Sequence, residues 1–146
     1  MGMFDALNVS ATGLTAERLR MDVTAENLAN AQTTRGADGQ PYRRKEVVLQ
    51  ERAGSGTFGA ALQSAISGGR PGGVEAAAIV QDATPLKQVY DPGHPDADAD
   101  GYVQMPNVDP VAEMVDLISA QRAYEANVTA MQAAKQMFSK TLDLLR

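Results

Sequence analysis

Apolar residues recur at alternating spacings of three and four at both ends of the chain, and almost nowhere between. Near the N-terminus the run is Phe4, Leu7, Ala11, Leu14, Met21, Ala25 and Leu28, with Arg18 at its one polar position. This is a heptad seam, the stripe that an α-helix presents to a partner helix. It predicts a helix from about residue 5 to about residue 31, roughly 40 Å long at 1.5 Å per residue. Gly13 lies inside it and costs about 1 kcal/mol relative to alanine, so packing must hold this helix together.

The second run is longer: Met114, Leu117, Gln121, Tyr124, Val128, Met131, Lys135, Phe138, Leu142 and Leu145, with no Gly or Pro inside it. Asp109 is placed to cap its start and Pro110 suits the first helical position. Glu113 and Asp116 favour the positive end of the helix dipole, and Arg146 the other. A helix of roughly 54 Å follows, too long for a compact domain of this size and natural in a coiled coil. The polar seam residues Arg18, Gln121 and Lys135 either fix register and partner number or snorkel to water.

Between the seams the texture changes. Short β-like runs at 44–49, 74–80, 87–90 and 102–105 are bounded by the turn pairs Asp38-Gly39, Gly72-Gly73, Asp91-Pro92-Gly93 and Asp100-Gly101, which predicts a small antiparallel β-domain. Residues 52–73 are rich in Gly, Ser and Ala and read as a flexible insertion, with Phe58, Leu62 and Ile66 spaced for a short helix. The fold class is therefore α+β: long N- and C-terminal helices pair as a coiled-coil stem around a small β-domain. The parts are 1–32, 33–107 and 108–146.

At 146 residues there is room for one ordinary domain, and with three Phe, four Tyr and no Trp its core is thin. The net charge of −5 argues against a broad nucleic-acid surface, and the single basic run, Arg43-Arg44-Lys45, reads as a solvated strand edge. The absence of cysteine excludes disulfides, thiolate catalysis and cysteine-based zinc sites. Met1-Gly2-Met3-Phe4-Asp5 does not have the basic and apolar regions of a cleavable secretory signal. Nor does any stretch reach the roughly 18 apolar residues of a membrane helix.

Candidate chemistry is scarce. The one histidine, His94, lies between Pro92 and Pro95, and no serine sits in a G-x-S-x-G elbow. The glycine clusters at 54–56 and 68–73 do not end in the Lys-Ser/Thr of a phosphate loop. Asp96, Asp98, Asp100 and Gly101 match the first half of a calcium loop, but Asn107 stands where the bidentate Glu belongs, and Pro95 and Pro106 flank it. The segment reads as an acidic turn whose carboxylates cap local N–H groups, with a metal site at His94 and its aspartates as the distant alternative. No catalytic residue, metal or cofactor is assigned.

Four segments carry a resemblance along nearly the whole chain. Glu26-Asn27-Leu28-Ala29-Asn30-Ala31-Gln32-Thr33-Thr34 holds an Asn-x-x-Asn motif at the predicted end of the first helix. Pro41-Tyr42-Arg43-Arg44-Lys45-Glu46-Val47-Val48 leads into the first strand. Tyr90-Asp91-Pro92-Gly93-His94-Pro95-Asp96-Ala97-Asp98 is followed by Gly101-Tyr102-Val103 and Pro106-Asn107-Val108. Arg122-Ala123-Tyr124-Glu125-Ala126-Asn127-Val128 lies in the last helix. Together these resemble the bacterial flagellar axial proteins and, through the segment from Tyr90 to Asp98, their FlgC branch. Glu26, Leu28 and Gln32 depart from the more usual Asn, Ile and Asn.

The resemblance implies a structural subunit of the proximal rod, not an enzyme, in which the terminal helices form the inner layer around an export channel and the middle lies outside. It implies passage through the flagellar export apparatus without signal cleavage. Expected neighbours are further copies, the sibling rod proteins FlgB, FlgF and FlgG, and the adapter FliE. A sibling rod or hook subunit is the alternative. The expected assembly surface is Leu7, Leu14, Met21 and Leu28 with Leu117, Tyr124, Val128, Met131, Phe138, Leu142 and Leu145.

Overall fold

The N-terminal seam folds as helix α1, Met3–Ala29, and the C-terminal one as α2, Pro110–Leu144. Among the described residues four strands lie between them: β1, Lys45–Glu51; β2, Val74–Gln81; β3, Lys87–Tyr90; and β4, Tyr102–Met105. The computed structural model describes residues 3–36, 38–52 and 72–144. The short helix expected around Phe58, Leu62 and Ile66, nearly all of the 52–73 insertion, and Leu145 lie outside these residues.

Local chemistry sets the helix ends. Asp109 caps α2: its Oδ1 accepts the Val111 N–H at 3.0 Å and its carbonyl the Glu113 N–H at 2.9 Å. Asn30 closes α1 by donating from Nδ2 to the Glu26 carbonyl at 2.9 Å while its Oδ1 accepts the Thr33 hydroxyl at 3.2 Å. The four strands stand where alternation and turn residues placed them, but they form two separate antiparallel ribbons. The β1–β2 ribbon runs from Lys45↔Gln81 to Glu51↔Val74 with a bulge between Val48 and Leu49, and the β3–β4 ribbon from Lys87↔Met105 to Tyr90↔Tyr102. Strand β1 turns Lys45, Val47 and Leu49 inward and Glu46, Val48 and Gln50 outward. The first ribbon packs on α1, where Thr12 Oγ1 accepts the Val74 N–H at 3.2 Å.

The two helices pack against each other and run antiparallel, since Asn27 meets Glu113 and Gly13 lies under Asn127. Their contact differs from the sequence reading. On α2 the buried and half-buried line is Glu113, Leu117, Ala120, Tyr124, Asn127, Met131 and Ala134. It shares Leu117, Tyr124 and Met131 with the expected seam, has Glu113, Ala120 and Ala134 in place of the exposed Met114, Gln121 and Lys135, and adds Asn127 beside the half-buried Val128. On α1 the buried side chains are Ala16, Val23, Thr24 and Asn27, while Leu7, Leu14, Met21 and Leu28 are only half-buried. Small and polar residues let the helix backbones approach closely, and the large apolar residues are displaced to the flanks. Arg18, Gln121 and Lys135 are exposed, outside the contact.

Candidate functional site

The end of α1, the start of β1 and the start of α2 meet at one buried polar junction. Asn27 is its hub. Its Nδ2 donates to the Lys45 carbonyl at 2.8 Å and to Glu113 Oε2 at 3.0 Å; its Oδ1 accepts the Lys45 N–H at 2.9 Å and the Tyr42 hydroxyl at 2.9 Å. The carboxamide thus pairs with Lys45 as a neighbouring strand would, and its full hydrogen-bonding capacity is used. Asn27 and Glu113 are each only 1% exposed. The buried Glu113 carboxylate is compensated by Arg44, whose Nε donates to Oε1 at 2.6 Å. Arg44 also faces Asp116 at 3.5 Å, and its backbone N–H goes to Asn107 Oδ1 at 2.8 Å. Asn107 in turn donates to Thr84 Oγ1 at 2.8 Å.

The electrostatics follow from this packing. The hydrogen bond to Glu113 raises the Arg44 pKa against the opposing effect of burial. Burial, then the Glu26 and Glu113 carboxylates, push the Tyr42 hydroxyl up to about 12. Asp82 is held below the usual carboxylate range by hydrogen bonds from Thr84, with Arg44 and Arg43 adding to the effect. The basic run is therefore not a solvated strand edge. Arg44 is drawn over the first turn of α2, Lys45 reaches Glu26 at 2.5 Å, and Arg43 turns to the Asp82 and Thr84 carbonyls at 3.5 and 3.4 Å. In the sequence Glu113 stands out only as a helix-dipole residue, because its partners lie 69 and 86 positions away.

The segment from Tyr90 to Asp100 is an ordered turn held by its own carboxylates. Asp91 Oδ1 accepts the Gly93 N–H at 3.2 Å, and Asp98 Oδ1 accepts those of Asp100 and Tyr102 at 3.0 and 2.8 Å. His94 Nδ1 accepts the Asp96 N–H at 3.1 Å. Pro92, Gly93 and Pro95 form the exposed bends. Gly101 has φ +82°, and a Cβ there would lie 3.0 Å from the Tyr90 ring, which packs edge-to-face on Tyr102 at 5.3 Å. Asp96, the first position of the partial calcium loop, is engaged by protein donors: the Thr34 hydroxyl at 2.9 Å and the Arg35 guanidinium at 2.8 Å. It thereby ties this turn to the loop after α1. Among the described residues no group of three His, Cys, Asp or Glu side chains is placed to hold a metal ion.

Of the expected assembly residues, Leu7, Leu14, Met21 and Leu28 flank the α1 contact, and Leu117, Tyr124, Val128 and Met131 are half-buried on α2. Phe138 and Leu142 are exposed near the end of α2. Asn127 packs over Gly13 and donates to the Ala123 carbonyl at 3.0 Å. The structure adds a stripe of which the seam reading held only Met114: Val111, Met114, Val115 and Ile118 are exposed on the side of α2 turned away from α1, Val111 by 66% and Ile118 by 51%. Their i, i+3, i+4, i+7 spacing was the available signal. No described helix is long and apolar enough to cross a membrane.

Residues 7–37 match the family model for flagella basal body rod protein, and residues 99–144 that for the C-terminal region of flagellar basal body rod FlgEFG proteins. The chain is 53% identical to the flagellar basal-body rod protein FlgC of Bacillus subtilis, over 99% of both chains. It is 46% identical to that of Borreliella burgdorferi, over 100% of this chain and 99% of the other. Against the Escherichia coli O6:H1 protein it is 44% identical, over 99% of this chain and 98% of the other.

Proposed function

Because the chain belongs to the FlgC family of flagellar basal-body rod proteins, we propose that it is a structural subunit of the proximal rod. In this reading residues 1–32 and 108–146 form the stem, which lines the export channel, and residues 33–107 pack outside it. The subunit is delivered through the flagellar export apparatus without signal cleavage. It then stacks helically with further copies, with FlgB, FlgF and FlgG, and at the membrane end with FliE. Torque passes through lateral contacts between subunits and needs no reaction in this one.

The observation that carries the reading is the distribution of apolar residues on the stem. Large side chains that a self-sufficient helix pair would bury are left half-exposed on α1 and exposed on α2. The two apolar faces lie on different helices and are not copies of one another. Such surfaces favour heterologous, head-to-tail contacts, the kind that build open helical tubes and not closed dimers. Ile118→Glu tests this. Since Ile118 faces away from α1, the substitution is expected to change the stability of the purified chain by less than about 0.5 kcal/mol. Swimming and recoverable rods are expected to be lost. A strain carrying Ile118→Glu that swims normally would remove the stripe from the assembly surface.

A further inference from the structure

The helix contact contains two polar fixtures spaced two heptads apart on each helix. At one, Asn27 and Arg44 hold Glu113. At the other, Asn127 sits so close over Gly13 that a Cβ there would lie 3.0 Å from its Nδ2. Between them the most buried contact residues are small, Ala16 at 4% and Ala120 at 0% exposure. Small residues permit close approach but carry little register information, because a slip by one heptad replaces one shallow contact with another.

A competing register is easy to identify. Sliding α2 by one heptad, about 10 Å, would bring Glu113 level with Arg20 and Asn127 level with Ala6. Glu113 would again face an arginine, so charge pairing between the helices alone does not exclude the slip. The geometry of Asn27 does. Its four hydrogen bonds join Glu113 to both backbone groups of Lys45 and to Tyr42. These are satisfied together only when the end of α1, the start of β1 and the start of α2 coincide.

We infer that the Asn27–Arg44–Glu113 junction is the register lock of the stem: it selects one alignment of α1 and α2 and ties that alignment to β1. Net stability is a secondary role for it. A buried, paired charge is often no more stabilising than apolar residues of similar size; fixing one register is the best-attested use of such groups. The inference concerns the folded chain by itself and goes beyond the rod reading; its failure would leave that reading standing.

The chain contains no cysteine, so two engineered ones give an unambiguous test. The purified full chain carrying Gly13→Cys with Asn127→Cys reports the observed register on oxidation. The chain carrying Ala6→Cys with Asn127→Cys reports the slipped one. A heptad slip exceeds the reach of a disulfide, so the two reporters do not cross over. In the otherwise unaltered chain only the first disulfide is expected. Adding Asn27→Leu with Glu113→Leu is expected to retain cooperative thermal unfolding. It should raise the slipped disulfide about tenfold or more, the change that follows from losing one or two hydrogen bonds' worth of preference. Asn27→Ala, which leaves the Arg44–Glu113 pair in place, should raise it in the same direction and serves if the double variant does not fold. Glu113→Gln, which keeps an acceptor for Asn27, should leave the slipped product low. Comparable yields of both disulfides in the unaltered chain, or an unchanged slipped yield in the folded variants, would overturn the lock.

Discussion

Tyr42 donates its hydroxyl to Asn27 beside the Glu26 and Glu113 carboxylates. Ionising it would place a third negative charge in a partly dehydrated site, which is why its pKa is pushed up to about 12. The folded chain therefore holds this proton more tightly than the unfolded chain, whose tyrosine titrates near 10. The resulting stabilisation is complete below about pH 10 and is lost as pH rises through about 12. In a tyrosinate absorbance titration of the folded chain, a phase near pH 12 is expected, and Tyr42→Phe should abolish it; a phase that survives the substitution would contradict the assignment. The same substitution removes one donor from Asn27 Oδ1 and should lower stability by about 0.5–1.5 kcal/mol in urea unfolding. At this scale the sequence identifies Asp109 as a cap, because a cap acts on residues two to four positions away, and the family resemblance marks Asn27 and Asn30 as a motif. It does not show that Asn27, Arg44 and Glu113 form one unit, since no local spacing links residues on three separate elements.

The described helices and strands are legible as elements, because hydrophobic period and turn chemistry are local properties. What joins them is less so. The strands fall into two ribbons because pairing is decided across long stretches of chain. The seam on α2 shifts by one position at alternate sites because close backbone approach favours Ala120 and Ala134 over Gln121 and Lys135, a preference that a search for large apolar residues does not see. Gly13 shows the energetic consequence. In an ordinary helix interior, Gly→Ala gains about 1 kcal/mol. Here the added Cβ would lie 3.0 Å from the Asn127 side chain, so Gly13→Ala alone is expected to bring no gain. Combined with Asn127→Ala the clash is gone, and the double variant should exceed Asn127→Ala by about 1 kcal/mol in urea unfolding. A full gain from Gly13→Ala in the native background would show that the helices have slack at this point.

For the molecule as a whole, the alignment of Gly13 with Asn127 leaves α2 extending about two turns beyond Met3. Leu142 lies on this extension and is 52% exposed, so the single chain gains little from its apolar surface, which the rod proposal assigns to the assembly. Deleting residues 139–146 should shift the melting temperature by no more than about 2 °C, the equivalent of a fraction of a kcal/mol. It should leave cells without a completed rod and non-motile; normal swimming by this mutant would sink the claim. The polar junction has a bearing on how the chain folds as well. Its bond from Asn27 to Glu113 joins residues 86 positions apart, a contact of high order whose loop-closure entropy must be met before it forms, whereas those of Asn27 to Lys45 and Tyr42 span only 18 and 15 positions. A chain entering from its N-terminus, whether from a ribosome or from a narrow passage, cannot close this knot until more than three-quarters of its length has emerged. Until then α1 has no partner helix to pack against, so the stem closes late.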